Sequence, residues 1–192
     1  MYERLNEAIK FATDCHAGQI RKLANTPYIL HPLEVAAIIG SITSDEDVII
    51  AGLLHDTMED CNVEAKVIKD KFGSRVSALV QSESEDKLSD RPPADTWMQR
   101  KQESLLFLEH TKDRDVKILW LADKLSNMRS FYREHEKHGD EIWKTLNQKD
   151  PKMHAWYYKT IASMLKELSD TAAYREYADL LERVFDKGET DR

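Results

Sequence analysis

The ten residues AGLLHDTMED, from Ala51 to Asp60, set four ionisable side chains directly behind an apolar run: His55, Asp56, Glu59 and Asp60. On a helix, residues four apart stack on one face, so His55 lies over Glu59 and Asp56 over Asp60. Three carboxylates held this close repel one another, and a positive charge is wanted between them. A solvated acidic helix end is the ordinary explanation for a DxxED segment. Ala51, Leu53 and Leu54 argue against it, because they draw the segment into a core. A buried imidazole beside a buried carboxylate is more economically explained as a metal pair, since neutral histidine and ionised aspartate are both ligands.

More ligands must then come from elsewhere in the chain, and two residues stand in suitable surroundings. His31 precedes Pro32 at a helix start, and Asp123 interrupts the strongly apolar ILWLADKLSNM. Each has a plain alternative: His31 as a turn cap, Asp123 as an ion-pair partner of Lys124 or Arg129. It is their conjunction with His55-Asp56 that favours a metal site.

The elements that must position these residues are helices. Apolar residues recur at spacings of three and four, and only six glycines and five prolines interrupt them. The pattern predicts a first helix over about 2–18 and an irregular stretch GQIRKLANTPYILHP in which Tyr28, Ile29 and Leu30 are extended. A second helix opens at Pro32, where the missing N–H costs nothing. Ser44 then caps a helix running unbroken through VIIAGLLHDTMED, with an acid three positions on. Asn62 and Ser74 cap the next two helices. The segment SESEDKLSDRPPAD, residues 82–95, reads as a loop. Asp95 caps the following helix, Asp113 or Asp115 starts the one carrying Asp123, and further helices start near Asp140, Pro151 and Thr171. The expected fold is all-α, a compact helical bundle formed by a single domain over 1–192.

Bulk properties exclude several classes. With 41% hydrophobic residues the chain can fill a substantial core. It contains nothing approaching the roughly 18 to 20 uninterrupted apolar residues of a membrane span. The N-terminus is charged where a signal peptide is apolar, so a cytoplasmic location is expected. A net charge of −7 without a basic block argues against nucleic acid as a partner. Cys15 and Cys61 lack CxxC spacing and read as reduced, packed thiols.

Three segments carry a more specific likeness: HAGQIRKLANTPYILHPLEVA, AGLLHDTMED and LWLADKLSNMRS. His31, His55-Asp56 and Asp123 together resemble the ligand set of the HD-domain metal phosphohydrolases. The longer segments resemble the hydrolase domain of the RelA/SpoT family and its small free-standing alarmone hydrolases. That family's patterns, H-x-x-Q-x-R-K, P-Y-x-x-H-P, L-L-H-D-x-x-E-D and L-A-D-K/R-L-x-N-M-R, all appear in order within residues 8–131, and helices over 140–187 would complete the domain.

The resemblance implies that His31, His55, Asp56 and Asp123 hold one divalent ion, usually manganese in the family, and that Glu59 and Asp60 are the catalytic acids that handle the attacking water. It implies that Arg21 and Lys22 line a guanine nucleotide pocket, with Asn127 and Ser130 as further contacts. Tyr157 matches a phosphate-contacting tyrosine in small members, although an aromatic at that helical spacing is more often core. The implied reaction removes the 3′-diphosphate of guanosine tetra- or pentaphosphate, giving GDP or GTP and pyrophosphate.

The chain departs from the long family members where they carry G-V-T-K and it has QSESEDKL, which leaves open an HD phosphohydrolase acting on another nucleotide or phosphoester. A non-catalytic module stapled by a metal is the reading from another class, and Glu59 and Asp60 weigh against it, since a staple needs no extra acids. Ending at Arg192, the chain is expected to be hydrolase only. Two imidazoles and two carboxylates suit several divalent ions, so the spacing does not rank manganese against iron, cobalt or zinc. The sequence assigns no oligomeric state.

Overall fold

The computed structural model describes residues 2–84 and 91–186. The fold is all-α: ten α-helices lie in the described residues, and the one β-type pairing is an isolated bridge between Ile20 and Pro27. In chain order the helices are α1 (Glu3–Cys15), α2 (Leu30–Gly40), α3 (Glu46–Leu54), α4 (Thr57–Cys61), α5 (Ala65–Phe72), α6 (Ser74–Glu83), α7 (Pro93–His110), α8 (Arg114–His138), α9 (Pro151–Met164) and α10 (Ala172–Phe185). Short 3₁₀ segments cover Gly139–Thr145 and Lys166–Leu168. No helix among the described residues is long and apolar enough to cross a membrane.

The residues group into two compact units. The first takes the described residues within Met1–Arg21, Asn25–Asp86 and Lys112–Asp123, and so holds α1 to α6 and the beginning of α8. Its centre is the pair α2 and α3. A Cβ placed on Gly52 would overlap Ile39 Cδ1 and fall 3.3 Å from Val35 Cγ1, so the two helices approach closely enough that any larger residue here forces those side-chain ends to shift. That approach brings His31, in the first turn of α2, to His55 at the end of α3. Ala8 and Ala12 of α1, Ile50 and Leu54 of α3 and Val76 and Val80 of α6 are fully buried in the same core. At the surface Arg75 bonds both oxygens of Asp45 and reaches Asp115, while Arg4 reaches Asp47 and the Phe72 carbonyl. These two arginines tie α1, the start of α3, α6 and α8 together.

The second unit holds Lys22–Ala24, the described residues of Lys87–Thr111 and those from Lys124 onward. Its core is aromatic: Phe131, Trp143, His154 and Tyr158 pack ring on ring, and Trp97 and Tyr157 extend the cluster. Arg129 grips Glu176 with two bonds of 2.6 and 2.7 Å, joining α8 to α10, and Tyr177 Oη donates to the Tyr158 carbonyl of α9.

Several helix boundaries differ from the sequence reading. Helix α2 begins at Leu30 rather than Pro32, and Ile29 already has helical backbone angles. Asp45, not Ser44, caps α3 by accepting the Asp47 N–H. Asn62 ends α4 in the left-handed conformation (φ 55°) instead of capping α5, a role in which asparagine substitutes for glycine. Pro92 and Pro93 open α7, with Asp95 in its first turn. Of the expected 82–95 loop, Ser82 and Glu83 still belong to α6, and residues 85–90 lie outside the described residues.

Candidate metal centre

The helix expected to run unbroken through AGLLHDTMED is interrupted at its two most reactive residues. Helix α3 stops at Leu54, His55 and Asp56 form a turn, and α4 starts at Thr57. Side chains cause the break by taking the carbonyls that would have continued the ladder. Thr57 Oγ1 donates to Leu54 O at 2.6 Å, and His55 Nδ1 lies 2.9 Å from Gly52 O. Such local side-chain bonds compete with backbone helix formation. A carbonyl only accepts, so Nδ1 carries a proton and Nε2 is the nitrogen offered to the cluster.

Four side chains converge there. His31 Nε2 lies 3.1 Å from Asp123 Oδ1 and 3.5 Å from Asp56 Oδ2. His55 Nε2 lies 3.0 Å from Asp56 Oδ2 and 3.7 Å from Asp123 Oδ1. Each nitrogen therefore faces both oxygens, and ligand atoms of His31, His55 and Asp123 all fall within 4.8 Å of one another. Bonds of about 2.0–2.2 Å to one cation put neighbouring ligand atoms about 3 Å apart or slightly more. The donor set and its spacing fit a divalent ion. His31, His55 and Asp123 are buried, and the Asp56 side chain keeps 18% of its surface.

The electrostatics point the same way. Burial holds the His31 imidazole below its ordinary value, and the bond to Asp123 offsets this only in part. For His55 burial acts in the same direction but is overcome by the Asp56 charge and by Asp123, so its value lies well above the ordinary one. Burial would raise Asp56, yet the facing His55 and His31 carry it below the usual carboxylate range. The facing carboxylates thus outweigh burial at His55 but not at His31.

A short turn-and-return of chain flanks these four residues. Arg21 N–H donates to Thr26 O and Tyr28 N–H to Gln19 O, both at 2.9 Å, so the stretch after α1 folds back on itself. This places the Arg21 guanidinium 5.8 Å from the centre of the Tyr28 ring. Gln19 Nε2 donates to the Asp60 carbonyl at 3.1 Å and approaches Cys61 Sγ, anchoring the stretch to α4. Glu59 and Asp60 occupy the first turn of α4, half-buried, and the Asp60 N–H donates to Asp56 O at 2.8 Å. Cys15 and Cys61 are half-buried free thiols, and burial pushes Cys61 up to about 11.

The remaining residues singled out in the sequence belong to the second unit. Lys22 is exposed, Asn127 is half-buried and Ser130 is buried. Asn127 follows Asp123 by one turn of α8. Arg133 Nη2 donates to Ser130 Oγ at 3.3 Å. Tyr157 is 2% exposed, with Lys101 Nζ 4.9 Å above its ring and Tyr158 against its edge, which is a core position. Arg129, a possible alternative partner for Asp123 in the sequence, is engaged by Glu176. Sequence reasoning gave no part to Tyr28, His16 or Gln19, although all three stand in the quoted motifs. Tyr28 Oη donates to Asp56 Oδ2 at 2.7 Å, and its spacing of three from His31 was the available signal.

A family model described as "HD domain" matches residues 8–152. The chain is similar to guanosine-3′,5′-bis(diphosphate) 3′-pyrophosphohydrolase of Haemophilus influenzae, 31% identical over 183 residues, covering 94% of this chain and 27% of that protein. It is also similar to GTP pyrophosphokinase of Streptomyces coelicolor, 32% identical over 183 residues, covering 94% of this chain and 21% of that protein. The chain thus spans about a quarter of the length of these curated relatives, whose names cover opposite reactions. Among solved structures, a metazoan ortholog of SpoT that hydrolyzes ppGpp superposes with a TM-score of 0.74 at 24% identity, over 94% of each chain. This likeness establishes the shared fold.

Proposed function

From the chain's membership of the HD-domain family, we propose that it is a divalent-metal-dependent phosphohydrolase that removes the 3′-diphosphate of guanosine tetra- and pentaphosphate. One observation carries the reading: two imidazole nitrogens and two carboxylate oxygens face one another at 3.0–3.7 Å, immediately ahead of the acid pair Glu59 and Asp60. The names of the Haemophilus relative and of the metazoan structure support the choice of substrate.

His31, His55, Asp56 and Asp123 would hold the ion, with manganese as the proposed metal. When bound, a divalent ion supplies positive charge that polarises a phosphoryl oxygen and acidifies the attacking water. Glu59 and Asp60 orient that water toward the phosphorus attached to the ribose 3′ oxygen and accept its proton. The P–O3′ bond breaks, the 3′ oxygen leaves as a hydroxyl after taking up a proton, and pyrophosphate is released. Arg21, planar and delocalised, stacks on the guanine or forks onto a phosphate, which a lysine does less well. Lys22, Asn127 and Ser130 are proposed as further nucleotide contacts, while the buried Tyr157 serves packing. A cytoplasmic enzyme acting on a small nucleotide, with no nucleic-acid partner, completes the proposal.

The test is to incubate the purified chain with guanosine 3′,5′-bis(diphosphate) and Mn²⁺ and to assay GDP and pyrophosphate. Equimolar release of both supports the reading. No turnover by chain verified to hold metal overturns the substrate, and orthophosphate release from a 5′-nucleotide in a parallel panel would replace it with a different HD phosphohydrolase activity.

A further inference from the structure

Asp56 is the most exposed of the four residues in the candidate metal centre, with 18% of its side-chain surface accessible, and it lies in the turn between α3 and α4. Something must hold Oδ2 toward the two histidines. Tyr28 Oη lies 2.7 Å from this same oxygen, and a carboxylate only accepts, so the phenol is the donor. Asp56 Oδ2 is also the atom 3.0 Å from His55 Nε2 and 3.5 Å from His31 Nε2. The hydroxyl therefore bonds the same oxygen that faces the two histidines.

The phenol is itself immobilised. Its ring stacks on His16, with centroids 4.9 Å apart and planes at 29°, and meets His31 edge-on at 5.9 Å. The Arg21 guanidinium is the third neighbour, at 5.8 Å. His16 is fixed in turn by Gln19 Oε1, 2.8 Å from its Nδ1. The His31 N–H donates to the Tyr28 carbonyl at 2.9 Å, so the first turn of α2 is built on the residue whose side chain orients Asp56. One residue thus touches two of the four ligands and the arginine on the nucleotide side.

We propose that Tyr28 is a positioning residue for the metal centre, holding Asp56 Oδ2 in its coordinating orientation through the phenolic hydroxyl and linking that ligand to Arg21 through its ring. The inference rests on the metal reading given above. Outer partners of metal ligands typically contribute about 10- to 100-fold in ion affinity. Tyr28→Phe retains the ring and its packing and deletes only the hydroxyl.

The experiment is a Mn²⁺ titration, by calorimetry or equilibrium dialysis without nucleotide, of wild type, Tyr28→Phe, Asp56→Asn and the double variant, with circular dichroism and thermal unfolding of each metal-free chain. Tyr28→Phe should unfold as wild type does and bind the ion about 10-fold or more weakly. In the Asp56→Asn background the same change should have almost no further effect, because the hydroxyl acts through that carboxylate. Saturating Mn²⁺ should restore most of the turnover of Tyr28→Phe, which it would not do for a residue acting on the substrate itself. Unchanged ion affinity in Tyr28→Phe, or an equal loss in the Asp56→Asn background, overturns this inference while leaving the proposed reaction intact. A wild-type chain that binds no divalent ion overturns both.

Discussion

His55 and His154 are both almost wholly buried, and each holds one ring nitrogen 2.9 Å from a backbone carbonyl, that of Gly52 and of Gln148 respectively. The surroundings of the two rings then diverge. His154 is enclosed by Trp97, Phe131 and Trp143, with centroids 5.4–5.8 Å away, and burial lowers its value with only partial opposition from the Gln148 carbonyl. It is a polar ring used as an aromatic one. His55 meets Asp56 and Asp123 instead, and their charge reverses the effect of burial. Burial and a fixed tautomer are common to both histidines, so neither marks a site. What distinguishes the candidate metal centre is that two carboxylates face the second nitrogen of His55.

The contrast is broken most severely by removing the acid pair that follows His55 and Asp56 in the chain. Glu59→Gln with Asp60→Asn should lower hydrolysis by about 10²–10⁴-fold, the usual worth of positioned acid–base groups, with ion content retained. His154→Phe should leave hydrolysis at the wild-type level under saturating ion. Parallel assays of pyrophosphate release and metal content check both, and equal losses in the two variants would erase the distinction.

A smaller effect tests how the two histidine-bearing helices of the centre are brought together. Gly52→Ala sets a methyl where Ile39 Cδ1 already stands, and overpacking of this kind costs about 1–3 kcal/mol. Chemical denaturation should show that loss, and ion affinity should weaken alongside it because α2 carries His31 and the end of α3 carries His55. A variant as stable as wild type would mean that the helices have room to separate.

The smallest effect concerns pH. The folded-state value of His154 is lowered, so the unfolded chain binds the extra proton first; the stabilising contribution is fully present above the ordinary histidine value of about 6.5 and declines as pH falls below it. His154→Phe should flatten this part of the stability–pH curve. An unchanged slope in the variant would assign the dependence to other groups.

Helix content and the group of residues that converges at the candidate centre were legible in the sequence because both are written in local signals. Spacings of three and four mark the helices, and His31-Pro32, His55-Asp56 and Asp123 each interrupt an apolar context that does not otherwise need them. The break between α3 and α4 was not legible. Periodicity continues through AGLLHDTMED, and the interruption depends on Thr57 and His55 side chains taking carbonyls of the preceding turn. Asn62 was misplaced because asparagine favours both ends of helices, and only the backbone angle decides between them. Tyr28 stood in plain view within PYILHP but gained a role only once Asp56, twenty-eight positions away, was folded against it.

The account stands most directly on the cation itself. Metal-free chain titrated with Mn²⁺, followed by elemental analysis after desalting, should hold one ion per wild-type chain and essentially none in His55→Ala, with His154→Phe indistinguishable from wild type. Full metal content in His55→Ala, or none in the wild type, would contradict the assignment of His31, His55, Asp56 and Asp123 as a single metal centre.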